Sequence, residues 1–254
     1  NLFYGTGIPA CIVVLDKEHA AARTHLFMID ASSGFMKDGN KNRLRHQDLH
    51  KIIDTFNREE EIERYSRLVP IEEIASEAND YNLNIPRYID ASEPEDLHDL
   101  DAHLRGGIPE GDINALDRFW TILPSVRADL FEAGDRPGYL APRLDATEVK
   151  PMILGHAEFE AYAADANQRV TEWAGAHRPL LEDLAPGCLP KIVINTLADD
   201  LLNRFAGVPL LSRYDVYQRL MEYWDEAMQD DLYLIAADGW AKGAKPRLTL
   251  KDSK

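Results

Sequence analysis

The chain has 254 residues, 45% of them hydrophobic and 28% charged, and its 28 Lys and Arg against 44 Asp and Glu give a net charge of −16. Length and composition are those of a soluble globular protein of one or two domains, and no run approaches the ~18 apolar residues of a membrane span, so a cytoplasmic protein with no membrane partner is expected. The acidic balance repels phosphate on average, which excludes a stand-alone nucleic-acid binder but not one subunit of a nucleic-acid machine. Cys11 and Cys188 lie far apart with no metal spacing and read as two reduced thiols.

Residues 1–35 read as strand, turn, strand. The run Ile8–Leu15 holds CIVVL, a continuous β-branched segment suited to a strand buried on both faces. His25–Ile29 is its expected antiparallel neighbour, across a glycine-free and therefore loose turn. Two strands cannot bury their own faces. The opening thus reads as the last strands of a sheet whose body lies upstream.

Residues 36–90 read as a helical and extended connecting segment. MKDGNKN, 36–42, is a polar loop. A helix from Arg43 to Arg58 follows, with Asn42 as N-cap and Leu49, Ile52, Ile53 and Phe56 at helical spacing. YSRLV is a short strand. Pro70 opens a helix over IEEIASEAND, and Pro86 makes NLNIPRYID extended. Residues 91–112, acidic and rich in Gly, Pro and His, form the expected linker.

Residues 113–254 read as a helical C-terminal domain. Leu116, Phe119, Trp120 and Leu123 share one side of a helix that Pro124 breaks. RPGYLAPRL is turn and extended chain. Further helices fall at 147–154, 156–177, 190–206 and about 212–230. DDLYLIAADGW ends strand-like, and the tail is polar and basic. The fold class is mainly α with a small β hairpin.

Few residues are placed for chemistry. His46 and His50, at i and i+4, could face one metal, but Gln47, Asp48 and Leu49 between them include no HExxH glutamate, and capping or solvent-facing roles fit as well. His98 and His103, beside Asp96, Asp99 and Asp101, match no known cation loop. Neither GxSxG, a Walker loop nor CxxC occurs. Gly5 and Gly7 precede a strand, the reverse of a dinucleotide loop. No catalytic residue and no metal are expected in this chain.

Three groups remain. Lys37, Lys41, Arg43 and Arg45, with His46, cluster where a helix N-terminus adds its amides to an anion site; they contact phosphate or form a solvated loop paired with local acids. Phe3 and Tyr4 are core or edge residues, or rings on which a base stacks. Tyr214, Tyr217, Met221, Tyr223, Trp224 and Met228 make an aromatic band at roughly helical steps. It is either a core stripe or, through Tyr217, Met221 and Trp224, a subunit-docking face.

NLFYGTGIPACIVVLDK, then FMIDASSGFMKDGNKNRLRHQDLHKIIDTF and VPIEEIASEANDYNLNIPRYID, resemble the modification (M) subunit of type I restriction–modification systems. YDVYQRLMEYWDEAMQDDLYLIAADGW resembles the C-terminal extension of one branch of that family, while 91–190 is less alike. The resemblance implies an adenine-N6 DNA methyltransferase with a class I, Rossmann-like fold, of which this chain holds the end of the sheet and a helical C-terminal domain. It implies S-adenosylmethionine as cofactor of the full-length protein. The family's cofactor loop and catalytic Asn-Pro-Pro-Phe lie upstream of the NLFYGT motif and are not recognised here, so no cofactor is expected to bind this fragment. The implied partners are the specificity (S) and restriction (R) subunits, and DNA through the assembled bacterial or archaeal complex. Phe3 matches the aromatic that stacks on the flipped base in related enzymes, with Tyr4 beside it.

Overall fold

The computed structural model describes residues 10–92, 98–243 and 245. The chain divides into two compact units, Asn1–Glu95 and Asp96–Lys254. Among the described residues it is mainly helical, with three small antiparallel sheets. No parallel sheet of class I type occurs among them.

In the first unit, a short 3-10 turn at Ala20–Ala22 leads to β1 (His25–Ile29). β2 (Met36–Asp38) and β3 (Lys41–Arg43) form a hairpin, followed by α1 (His46–Arg58), β4 (Ser66–Pro70) and α2 (Ile71–Ile74). Of the strand expected over Ile8–Leu15, Ile8 and Pro9 lie outside the described residues and Ala10–Leu15 is irregular, with Ile12 and Leu15 92% and 90% exposed. β1 pairs instead with β4, from His25↔Pro70 to Ile29↔Ser66. The apolar core of that pair lies on one face, Met28 and Val69 against Ile74, Tyr88 and Ile89, while Ser66 is buried on the other. A run apolar on both faces needs cover on both, and this two-stranded sheet does not supply it to CIVVL.

Other expectations in this unit also shift. The 36–42 loop is a β-hairpin, closed by Gly39 at φ 60° in the first central position, the place glycine takes in a type II′ turn. α1 begins at His46 rather than Arg43 because β3 claims Lys41–Arg43. The helix after Pro70 lasts one turn. The Ser76 hydroxyl and the Asn79 side-chain amide donate to the Glu73 carbonyl at 2.7 and 2.9 Å, taking the acceptor that a continuing helix needs. Pro86 lies in a 3-10 turn, Ile85–Arg87, where an extended segment was expected.

The second unit begins with α3 (Leu100–Arg105), β5 (Ile108–Pro109) and α4 (Glu110–Asn114). Residues 98–112 are therefore largely structured. α5 (Asp117–Trp120) and α6 (Pro124–Leu130) follow, with Pro124 in the first turn of α6. β6 (Phe131–Ala133) and β7 (Tyr139–Pro142) complete a sheet of order β5-β7-β6, where only turn and extended chain were expected. Then come α7 (Ala146–Gly155), α8 (Ala157–Glu182), α9 (Pro190–Arg204) and α10 (Arg213–Tyr223). A π-helical turn, Trp224–Met228, joins α10 to α11 (Gln229–Asp238), and α12 (Trp240–Gly243) ends the described helices.

α9 is the spine of this unit. Its Val193, Ile194, Leu197 and Leu201 are buried with Phe205 against Leu220, Met221 and Trp224. α8 joins through Trp173, whose indole N–H donates to the Leu197 carbonyl at 2.9 Å. The segment read as strand-like is α11. Leu232 and Ile235, three apart, both enter the core, which a strand would point to opposite faces.

Candidate functional site

The basic cluster lies on the 36–43 hairpin. Its register, Met36↔Arg43, Lys37↔Asn42 and Asp38↔Lys41, divides the cations between two faces. Lys41 and Arg43 share one face with Met36 and Asp38; Lys37 is on the other with Asn42. The Lys37 ammonium donates to Asn42 Oδ1 at 2.8 Å and lies 5.3 Å from the Phe35 ring centroid. Arg43 reaches Met36 Sδ at 3.3 Å and Asp38 at 3.7 Å, an open pair with both side chains more than 60% exposed. Surface pairs of this kind contribute little, so Arg43 keeps its charge toward solvent, and Lys41 is an exposed residue on the same face.

Arg45 does something different. The Asp48 carboxylate accepts from the Arg45 backbone N–H at 2.8 Å and from its Nε and Nη2 at 2.9 Å each. Asp48 is buried, 7% exposed, at the third position of α1. It reaches back to the N-cap residue as the acid of a capping box does. A carboxylate from the chain itself thus occupies the place where the helix N-terminus would hold an anion, and Arg45 is committed to it. Arg45, expected with Lys37, Lys41 and Arg43 to contact phosphate, makes these bonds to Asp48. A Cβ on Gly34 would come within 3.1 Å of Asp48 Oδ1, so glycine lets the loop before β2 close onto the same carboxylate.

Burial pushes the Asp48 carboxyl up, but its hydrogen bonds and charge pairing with Arg45 outweigh this and leave it lowered. A carboxyl lowered on folding contributes stability above its unfolded value and loses that contribution as pH falls through the folded one. Acid titration from about pH 7 to about pH 3 is expected to weaken the first unit progressively below about pH 4. Asp48→Asn removes that part of the pH dependence, as urea unfolding at each pH will show.

The other expected sites fall as follows. Phe3 and Tyr4 lie outside the described residues. His46 and His50 are half-buried on α1. Asp99 caps α3, accepting from the N–H groups of Asp101 and Ala102 at 2.8 and 3.0 Å and from the Tyr139 hydroxyl at 2.8 Å. Asp101 pairs with the Arg136 guanidinium. The acids of the His98–His103 stretch are therefore spent on fold, and among the described residues no cluster of metal-ligating side chains occurs.

The three residues expected to dock a subunit, Tyr217, Met221 and Trp224, lie in or against the core of the second unit. Met221 and Trp224 are buried at 7% and 6% exposure, and Tyr217 packs partly buried against the same core, which pushes its phenol pKa up. These three side chains are not a free surface. Tyr223, from the same band, is 57% exposed.

Residues 1–97 match the family described as N-6 DNA Methylase. Over 102 residues the chain is 36% identical to the type I restriction enzyme MjaVII methylase subunit of Methanocaldococcus jannaschii, an alignment covering 38% of this chain and 17% of that protein. Over 98 residues it is 32% identical to the type I restriction enzyme MpnII methylase subunit of Mycoplasma pneumoniae, covering 38% and 18%. The chain thus spans under a fifth of the length of these relatives. No solved structure matches it. The similarity to the N-6 DNA methylase family and to type I methylase subunits is thus confined to about the first 97 residues.

That family implies S-adenosylmethionine. Among the described residues no strand runs through a glycine-rich loop into a helix, the arrangement that cradles such a group. A cavity of about 600 Å³ in the second unit is lined by Leu181, Leu184, Tyr223, Met228 and Trp240, with Asp231 and Lys245 as its charged groups. This apolar lining does not suit the polar ribose and amino-acid ends of the cofactor, and the described residues do not fit it.

Proposed function

We propose that the chain is the distal part of the modification subunit of a type I restriction–modification system, working in the cytoplasm. The whole subunit would transfer a methyl group from S-adenosylmethionine to adenine N6, in complex with the specificity and restriction subunits. The similarity of residues 1–97 to type I methylase subunits carries this reading. Residues 1–35 supply the terminal strands of the methyltransferase sheet, where the uncovered CIVVL run finds neighbours. Residues 36–90 form the connecting segment, and 113–254 a helical domain for assembly with the specificity subunit. Phe3 and Tyr4 stack on the extruded base that such chemistry requires. Lys37, Lys41 and Arg43 contact backbone phosphate. No catalytic group comes from this chain.

Mapping N6-methyladenine in the DNA of cells with and without the gene tests the reading. A sequence-specific set of methylated adenines that disappears on deletion and returns with the restored gene is expected. Unchanged methylation overturns it.

A further inference from the structure

We infer that Asp48 is a positioning residue that sets the direction of the phosphate-facing hairpin; the inference rests on the proposed DNA-facing role of that hairpin. In β2 and β3, Met36, Lys37, Asp38, Lys41 and Arg43 are all exposed and only Asn42 is half-buried. A hairpin with so little buried side chain is not oriented by its own packing. Its direction is fixed where it is rooted, and both roots meet one carboxylate. On the outgoing side, Arg45 gives Asp48 its backbone N–H and two guanidinium donors. On the incoming side, Gly34 lies so close that even a methyl group would press on Asp48 Oδ1 at 3.1 Å. Asp48 is buried on the first turn of α1, so it bonds the outgoing end of the hairpin to the helix and packs closely against the incoming end. The fork of a guanidinium on a carboxylate fixes direction as well as distance, and Lys41 and Arg43 lie only a few residues from it.

Charge and position make opposite predictions for Asp48. In a chain of net charge −16, removing one acid strengthens attraction to phosphate. If Asp48 aims the hairpin, removing it weakens binding despite the gain in charge. The test measures binding of the full chain to a short labelled DNA duplex by fluorescence anisotropy across a salt series, for wild type, Asp48→Asn, Arg45→Lys and Lys41→Ala/Arg43→Ala. Arg45→Lys keeps the charge and loses the fork.

The expected result for Asp48→Asn and for Arg45→Lys is an affinity loss of about 10²-fold at low salt, roughly tenfold for each of two contacts. The slope of log affinity against log salt should become shallower by roughly 2, one for each of the two cations misdirected. Adding Asp48→Asn to Lys41→Ala/Arg43→Ala is expected to cost little more, because the contacts it aims are already gone. A purely structural role would lower thermal stability and leave the slope unchanged. Tighter or unchanged binding by Asp48→Asn, with the lysine and arginine variant still defective, overturns the inference and leaves the DNA-facing reading intact. Equal binding by wild type and Lys41→Ala/Arg43→Ala overturns the DNA-facing reading itself. If Asp48→Asn fails to fold, Arg45→Lys and Gly34→Ala decide the matter on the same readout.

Discussion

Trp224→Ala is expected to destabilise the helical unit by about 3–5 kcal/mol, the usual cost of emptying a large buried aromatic site. Trp224 is 6% exposed and packs with Leu220, Met221, Leu232 and Ile235 around α9. It also opens the π-helical turn between α10 and α11, so its loss disturbs both helices at once. Tyr223→Ala, one residue earlier and 57% exposed, is the control and is expected to shift stability by no more than about 0.5 kcal/mol. Urea unfolding followed by circular dichroism checks both, with the transition of each unit treated separately. A stable Trp224→Ala chain that has lost only its ability to bind a partner would return this side chain to the docking role read from the sequence.

Lys37→Ala/Lys41→Ala/Arg43→Ala is the second large effect. Each phosphate contact contributes roughly 0.9 to the salt slope, which amounts to about tenfold in affinity at low salt. Losing all three is expected to weaken duplex binding by roughly 10² to 10³ and to leave thermal stability nearly unchanged, because the three side chains are exposed. Anisotropy titrations at two salt concentrations and a thermal melt measure both halves of that statement. The overall acidity makes the result more telling. Away from the hairpin the chain repels DNA on average, so a local basic feature has to account for whatever binding is seen.

Local signals were legible where they decided the structure locally. YSRLV reads as a short strand, and β4 forms over Ser66–Pro70. Pro124 breaks a helix, and α6 starts there. The periodicity of α9 is that of a helix, and Val193, Ile194, Leu197, Leu201 and Leu202 are buried at helical spacing. What the sequence hid were the choices made by distant partners. CIVVL reads as a better strand than SRLVP, but β1 pairs with SRLVP because Val69 finds Ile74, Tyr88 and Ile89 beside it. Leu234 and Ile235 look strand-like alone and are helical because the α9 core accepts Leu232 and Ile235 from one face. The hairpin at 36–43 had a visible sign in Asp38-Gly39-Asn40, a polar pair around glycine, that the reading as loop passed over.

The candidate site was legible as composition and not as geometry. Four cations within nine residues mark Lys37–Arg45 as basic. Their division between two faces follows from strand register, and the bonding of Arg45 to Asp48 follows from a helix start at His46, which the sequence pattern places at Arg43. The aromatic band was visible as a stripe, but only packing separates the buried Trp224 from the exposed Tyr223.

The most direct measurement is tritium transfer from labelled S-adenosylmethionine to duplex DNA. The isolated 254-residue chain would be assayed beside the protein encoded by the whole reading frame that contains it, each supplied with its specificity subunit. Label in adenine N6 from the longer protein and none from the isolated chain is the expected outcome. Methyl transfer by the isolated chain, or none by the longer protein, contradicts the assignment of these residues to the distal part of a type I modification subunit.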